Sequence, residues 1–110
     1  MSKYKNRKTV IDGETFDSAA ECRRYQALLL QQRAGLIKDL TRQVSFVLAP
    51  KTIIQGKAKR SLIYCADFGY TETETGQKIV EDVKGMLTAV YKIKRHLMAT
   101  VHNIEIRETK

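Results

Sequence analysis

The stretch IVEDVKG, Ile79 to Gly85, decides how the second half of this chain is read. As a strand it sends successive side chains to opposite faces, so Val80, Asp82 and Lys84 share one face and Ile79, Glu81 and Val83 the other. Asp82 and Lys84 are then neighbours, and Glu81 points away from both. Upstream, SLIYCADFGY reads as the preceding strand and places Asp67 on the same face as Cys65 and Ile63. The polar turn TETETGQ joins the two. If the strands pair through it, Asp67 and Asp82 meet near the same end. Two carboxylates held together repel, and one keeps its proton unless a cation intervenes. A divalent metal removes that conflict. An oxygen-rich site with few protein ligands suits Mg2+, which keeps waters and shares phosphate oxygens.

Working outward, MLTAVYKIKRHLMATVHN reads as a long helix and IEIRE as a short final strand. On the other side, VSFVLAP is a strand closed by Pro50 and preceded by a connector. KTIIQGKAKRS is a loop or hairpin carrying Lys51, Lys57, Lys59 and Arg60. At the front, TVIDGETF holds Asp12-Gly13 between two β-type runs, a two-residue hairpin signal. FDSAAE opens a helix in which Ser18 and Glu21 have capping-box spacing and Phe16 is placed to pack back as a staple. That helix is expected to run to Ala34 and stop at Gly35, burying Cys22, Tyr25, Leu28 and Leu29. The order helix, three strands, helix, strand behind a small N-terminal hairpin predicts an α/β domain with a mixed sheet. Residues 1–8 read as a basic arm and residues 9–110 as a single domain without repeats or linkers.

The chain has 110 residues, 43% of them hydrophobic, enough for one core. Its net charge of +8 is uneven. Residues 1–60 carry 13 basic against 5 acidic side chains, whereas residues 61–110 carry 7 of each. A basic half beside a half with clustered acids suggests a polyanion-binding surface next to something that uses carboxylates. No run approaches the roughly 18 apolar residues of a membrane span. The basic start MSKYKNRK is not followed by an apolar stretch of signal-peptide length, so an intracellular location is expected. Cys22 and Cys65 lack paired spacing and read as buried, reduced thiols. His96 and His102 point about 120° apart on a helix, which rejects zinc.

Asp67 followed by Asp82-Val83-Lys84 resembles the signature of the PD-(D/E)XK nucleases, with Ala66 in place of the usual proline. The segments YKNRKTVIDGETFDSAAECRRYQ, GLIKDLTRQVSFVL, ADFGY and IVEDVKGMLTAVYKIKRHLM extend the likeness almost end to end. Together they resemble a small phage-encoded family of these proteins, long recorded as a domain of unknown function. Its wider relatives include Holliday junction resolvase-like endonucleases. The resemblance implies a restriction-endonuclease-like αβββαβ core. It implies Mg2+, with Mn2+ able to substitute, on Asp67, Asp82 and the Val83 carbonyl, and Lys84 positioning or activating the attacking water. A first-helix glutamate sits at the metal site in resolvase-like members, and Glu21 is the matching position. The plainer reading of Glu21 is the last residue of the capping box, although a helical wheel puts it on the margin of the buried arc. Phage origin would place the protein in the cytoplasm of a bacterial host.

Lys94 falls within the apolar face of the second helix, among Leu87, Val90, Met98 and Val101. It either snorkels past the core edge or turns into the site to contact phosphate. Thr88, near the helix start, is placed to touch a phosphate through its hydroxyl or the neighbouring amides. The arm (Lys3, Lys5, Arg7, Lys8) and the Lys57–Arg60 segment, including Lys59, are expected to grip flanking phosphates. The function expected is Mg2+-dependent hydrolysis of DNA, selective for branched structures and carried out by a homodimer. The alternatives are a nuclease nicking flaps, ends or plain duplex, and a non-catalytic DNA-binding protein. Pure binding has no need of edge carboxylates that repel phosphate.

Overall fold

The computed structural model describes residues 9–11 and 14–110. The Asp12-Gly13 turn and the arm residues Lys3, Lys5, Arg7 and Lys8 lie outside the described residues. Strands β1 (Thr9–Ile11) and β2 (Glu14–Phe16) pair antiparallel, Thr9 opposite Phe16. Helix α1 (Ala19–Arg33) begins at Ser18, whose backbone is extended and whose hydroxyl accepts the Glu21 N–H at 3.1 Å. It ends in a Schellman turn. Gly35 adopts φ +79°, and the Leu36 and Gly35 amides return to the carbonyls of Gln31 and Gln32. The arc Cys22, Tyr25, Leu28 and Leu29 is buried or half-buried, as its spacing predicts.

The central sheet has the order β3-β6-β7-β8. Strands β3 (Ile37–Ala49), β6 (Leu62–Glu72) and β7 (Lys78–Val83) are antiparallel neighbours, and β8 (Arg107–Thr109) runs parallel to β7. Between β3 and β6 the chain makes a separate hairpin of β4 (Thr52–Ile54) and β5 (Lys57–Lys59). Helix α2 (Ala89–Val101) crosses from β7 to β8. Over the described residues the molecule is therefore α/β, with a mixed sheet and two helices.

Two boundaries differ from expectation. Ile37–Gln43, read as a connector, is strand: its backbone groups pair with the far half of β6, from Ile37↔Glu72 to Arg42↔Phe68. Left-handed residues at Asp39 (φ 57°) and Gln43 (φ 55°) break its alternation, so no period of two marks it in the sequence. The final strand is also displaced. Ile104 and Ile106 pack against the core below α2, and the ladder with β7 starts only at Arg107.

Two apolar clusters hold the layers together. Under α2 lie Leu48, Tyr64, Ala66, Val80, Tyr91 and Met98; under α1 lie Leu28, Ile37, Phe68, Tyr70 and Ile79. Tyr64 and Ala66 belong to the first cluster, Phe68 and Tyr70 to the second, although strict alternation would put all four on one face. Strand β6 thus changes face at Asp67. Opposite that residue stands Gln43, and the Gln43↔Asp67 pair is missing between Arg42↔Phe68 and Val44↔Ala66, in a ladder that also shifts register between Lys38 and Thr41 and between Val47 and Ala49. The sheet is broken where its carboxylate emerges.

The second helix buries less than its sequence suggests. Of the apolar face assigned to it, Met98 is buried, but Leu87, Val90 and Val101 are exposed. Tyr91 takes their place in the core, and Lys94 is half-buried between Tyr91 and Met98 on the same helix face. Cys22 is buried and Cys65, against expectation, is exposed; both are free thiols. Among the described residues no helix is long and apolar enough to cross a membrane.

Candidate active site

The β6–β7 ladder ends at Phe68↔Glu81, so Asp67 and Asp82 occupy the next position. The two acids of IVEDVKG are sorted to opposite sides. Glu81 is fully buried under α1, where Arg24 donates to it twice, at 2.6 and 3.0 Å, and the Tyr70 hydroxyl donates at 2.6 Å. Thr109 adds a longer contact at 3.3 Å. Burial alone would raise the Glu81 pKa, but these donors outweigh it and hold the carboxyl below its usual range. Glu81 is a charged strut between α1, β6, β7 and β8.

Asp82 faces the other way and is also buried. Its Oδ2 accepts the Tyr64 hydroxyl at 2.6 Å and pairs with the Lys84 ammonium at 3.3 Å. Lys84 is held in turn. Its amide donates to the Thr109 carbonyl at 2.7 Å, and its Nζ lies 4.4 Å from the centroid of the Tyr91 ring. Tyr91 is anchored by its hydroxyl on Glu108 at 2.7 Å, and Arg95 braces Glu108 at 2.9 Å. Burial, with the hydrogen bonds to Asp82 and Glu108, raises the pKa of both Tyr64 and Tyr91, so both phenols stay protonated donors.

Asp67 accepts the Val83 N–H at 2.8 Å, which ties it to the D-x-K tripeptide through the backbone. Burial, contact with Asp82 and the nearby charge of Glu21 together push its carboxyl up to about 8, against the lowering effect of the Val83 amide. The two carboxyls therefore sit together with too little positive charge near Asp67. Lys84 and Tyr64 both serve Asp82.

Glu21 lies at the start of α1, nearly buried. Ser18 completes its half of the capping box, while the Glu21 carboxylate turns into the fold. There Gln43 Nε2 donates to it at 3.1 Å and an Arg42 Nη2 stands 3.7 Å away. Burial raises its pKa, with the Arg42 charge opposing. Arg42 itself stacks 3.9 Å over the Phe16 ring and donates to the Thr15 carbonyl. Gln43 also accepts from the Cys65 thiol at 3.3 Å, so its amide spans from α1 to β6 beside Asp67. The left-handed backbone that breaks the ladder is what aims this amide.

Of the residues expected at the site, the fold brings together Asp67, Asp82, Val83 and Lys84, with Glu21 beside them. Thr88 is the N-cap of α2, its hydroxyl accepting the Tyr91 N–H at 3.1 Å, so its oxygen is engaged in the helix start. Lys94 lies one turn beyond Tyr91. Lys57, Lys59 and Arg60 are exposed on and just after the separate hairpin. Tyr64, Gln43, Arg24 and Tyr91 were not foreseen. Only Arg24 had a signal, since it shares a helix face with Glu21 and Leu28. The others depend on pairings between distant strands.

Among the described residues, no three His, Cys, Asp or Glu side chains converge in a geometry that would enclose an ion. The donor chemistry nevertheless fits a small hard cation. Two carboxyls share a position, and Asp67, which among the described residues forms no ion pair, is pushed towards its neutral form.

A family described as a protein of unknown function, DUF1064, matches residues 1–109, so the chain belongs to that family. No curated protein and no solved structure matches it.

Proposed function

We propose that this DUF1064 protein is a Mg2+-dependent endodeoxyribonuclease of the PD-(D/E)XK kind, with a restriction-endonuclease-like core, acting on branched DNA. One observation carries the reading: Asp67 and Asp82 meet at the open end of a strand pair, Lys84 contacts Asp82, and Asp67 is left short of positive charge. A structural acid pair would be neutralised in place, as Glu81 is by Arg24.

Asp67, Asp82 and the Val83 carbonyl would hold the metal, with Glu21 reaching it directly or through water. When bound, Mg2+ supplies charge neutralisation at the phosphate and lowers the pKa of a water. The protein's own residues do the rest. Tyr64 and Val83 N–H orient the two carboxylates, and the Tyr91 ring confines Lys84 beside Asp82. From there the ammonium orients the attacking water or stabilises the charge that develops on the phosphate. Glu81 and Arg24 keep β7 in place beneath. Lys57, Lys59 and Arg60, the arm residues and Lys94 would contact phosphates at a distance from the scissile bond.

Paired cuts across a junction require two sites, hence a two-fold homodimer. The exposed apolar residues of α2, Val90, Ile93 and Val101, are the surface proposed to be covered in it. The test uses labelled four-way junction, flap, linear duplex and single strand, each with Mg2+ or EDTA. Symmetric junction cuts that vanish in Asp82→Ala and Lys84→Ala, with binding in EDTA retained, are expected. Cutting of flaps or duplex instead would leave the nuclease and remove the junction. No cleavage of any substrate with Mg2+ or Mn2+ would overturn the enzyme.

A further inference from the structure

We infer that the β4–β5 hairpin is a DNA arm whose isoleucine tip wedges into interrupted base stacking while its cations follow the phosphates. This rests on the nucleic-acid half of the proposed function and not on cleavage. The hairpin leaves the sheet where β3 ends and β6 begins, and every residue from Lys51 to Ile63 is exposed. Its own ladder, Thr52↔Lys59 to Ile54↔Lys57, and a tight turn hold it. Gln55 (φ 52°) and Gly56 (φ 76°) are both left-handed, the conformation that matches the twist of a two-residue hairpin. Among the described residues no other element packs substantially on it.

A free ribbon of this kind has no structural reason to carry large aliphatics. Yet Ile53 is 73% and Ile54 52% exposed, beside the turn. The same segment holds Lys51, Lys57, Lys59 and Arg60 and no acid, so its partner is a polyanion. The register decides which. Ile54 shares a face with Lys57, whereas Ile53 and Ala58 share the opposite one. A membrane surface would bury one face and leave the other isoleucine in water. DNA can surround the tip, because apolar wedges enter between base steps while cations lie along the backbone. Unstacking costs least where stacking is already interrupted, so the wedge favours branches, nicks and flaps over plain duplex. Asp67 lies five residues beyond Leu62, about 16 Å along β6, so the hairpin would hold DNA some distance from the acid pair.

The test is binding in EDTA, with a four-way junction carrying 2-aminopurine at its centre and a linear duplex of the same sequence. Ile53→Ser/Ile54→Ser is expected to keep duplex affinity within about twofold and to lose the junction preference and the 2-aminopurine signal. Lys57→Gln/Lys59→Gln/Arg60→Gln is expected to weaken both DNAs at least tenfold and to flatten the salt dependence by a slope of about 3. Circular dichroism confirms that each variant folds. An unchanged junction preference in the first variant, or an unchanged salt slope in the second, overturns the inference. So does binding of wild-type protein to phosphatidylserine vesicles that duplex DNA fails to displace. Because no readout requires cleavage, a chain that wedges but cuts nothing refutes the nuclease and keeps the arm; the reverse result does the opposite.

Discussion

Replacing Asp67 by asparagine should stabilise the metal-free protein at alkaline pH. The native carboxyl is pushed from 3.8 to about 8. Between those values the folded state holds a proton that the unfolded state has released, so stability falls as pH rises through this window and levels off above it. At about 1.36 kcal/mol per pH unit the ceiling is about 6 kcal/mol. Solvent reaches this half-buried group and screens part of the repulsion, leaving roughly 2–3 kcal/mol. Asparagine keeps the acceptor for Val83 N–H and can donate to Asp82, so it mimics the protonated acid. The variant should match wild type at pH 4 and melt roughly 10 °C higher at pH 8.5. Thermal and urea denaturation in EDTA across that range measures it. Glu21 and Glu81 are present in both proteins, so the difference reports on Asp67 together with the carboxylates it is coupled to. Mg2+ should then stabilise wild type at pH 8.5 and scarcely affect the variant. Equal stability of wild type at pH 5 and 8.5 in EDTA, with no gain from asparagine, would refute the claim that the acid pair lacks charge.

Arg24→Ala strands a fully buried Glu81 carboxylate and should cost about 3–5 kcal/mol in urea denaturation at pH 7, with a smaller loss at pH 4 where the carboxyl accepts a proton. Tyr64→Phe removes one hydrogen bond from buried Asp82 and should cost about 1–3 kcal/mol by the same assay, while the Lys84 contact to the carboxylate stays in place. Gln43→Gly relieves about 1 kcal/mol of left-handed strain but severs the amide bridge to Glu21. Its melting temperature should stay close to wild type while Mg2+-dependent cleavage falls on the order of tenfold. Unaltered cleavage would show that Gln43 shapes the strand without serving the site.

Much of the fold could be read from local chemistry. Ser18, Gly35 and Pro50 mark ends because caps, left-handed glycine and a missing N–H act over a few residues. The separation of Asp82 and Lys84 from Glu81 was equally legible, since alternation belongs to any extended backbone. The first half of β3 was not. Lys38, Asp39 and Arg42 look like a connector, and only the ladder offered by β6 makes them a strand. The apolar stripe of α2 misled for a related reason, as amphipathicity identifies a face without saying what covers it.

The sequence by itself thus determined the α/β order, the turn between the two acid-bearing strands and the parity that pairs Asp82 with Lys84. The tertiary structure alone decided the rest. It placed Tyr64 on Asp82, Arg24 on Glu81 and Gln43 between Glu21 and Cys65. Each of these contacts spans 18 residues or more. The change of face at Asp67 arises from a left-handed residue on the partner strand, which only pairing brings opposite it. Local propensity acts within a turn or a strand, whereas the charge balance around Asp67 is set by which distant groups the register brings within reach of one another.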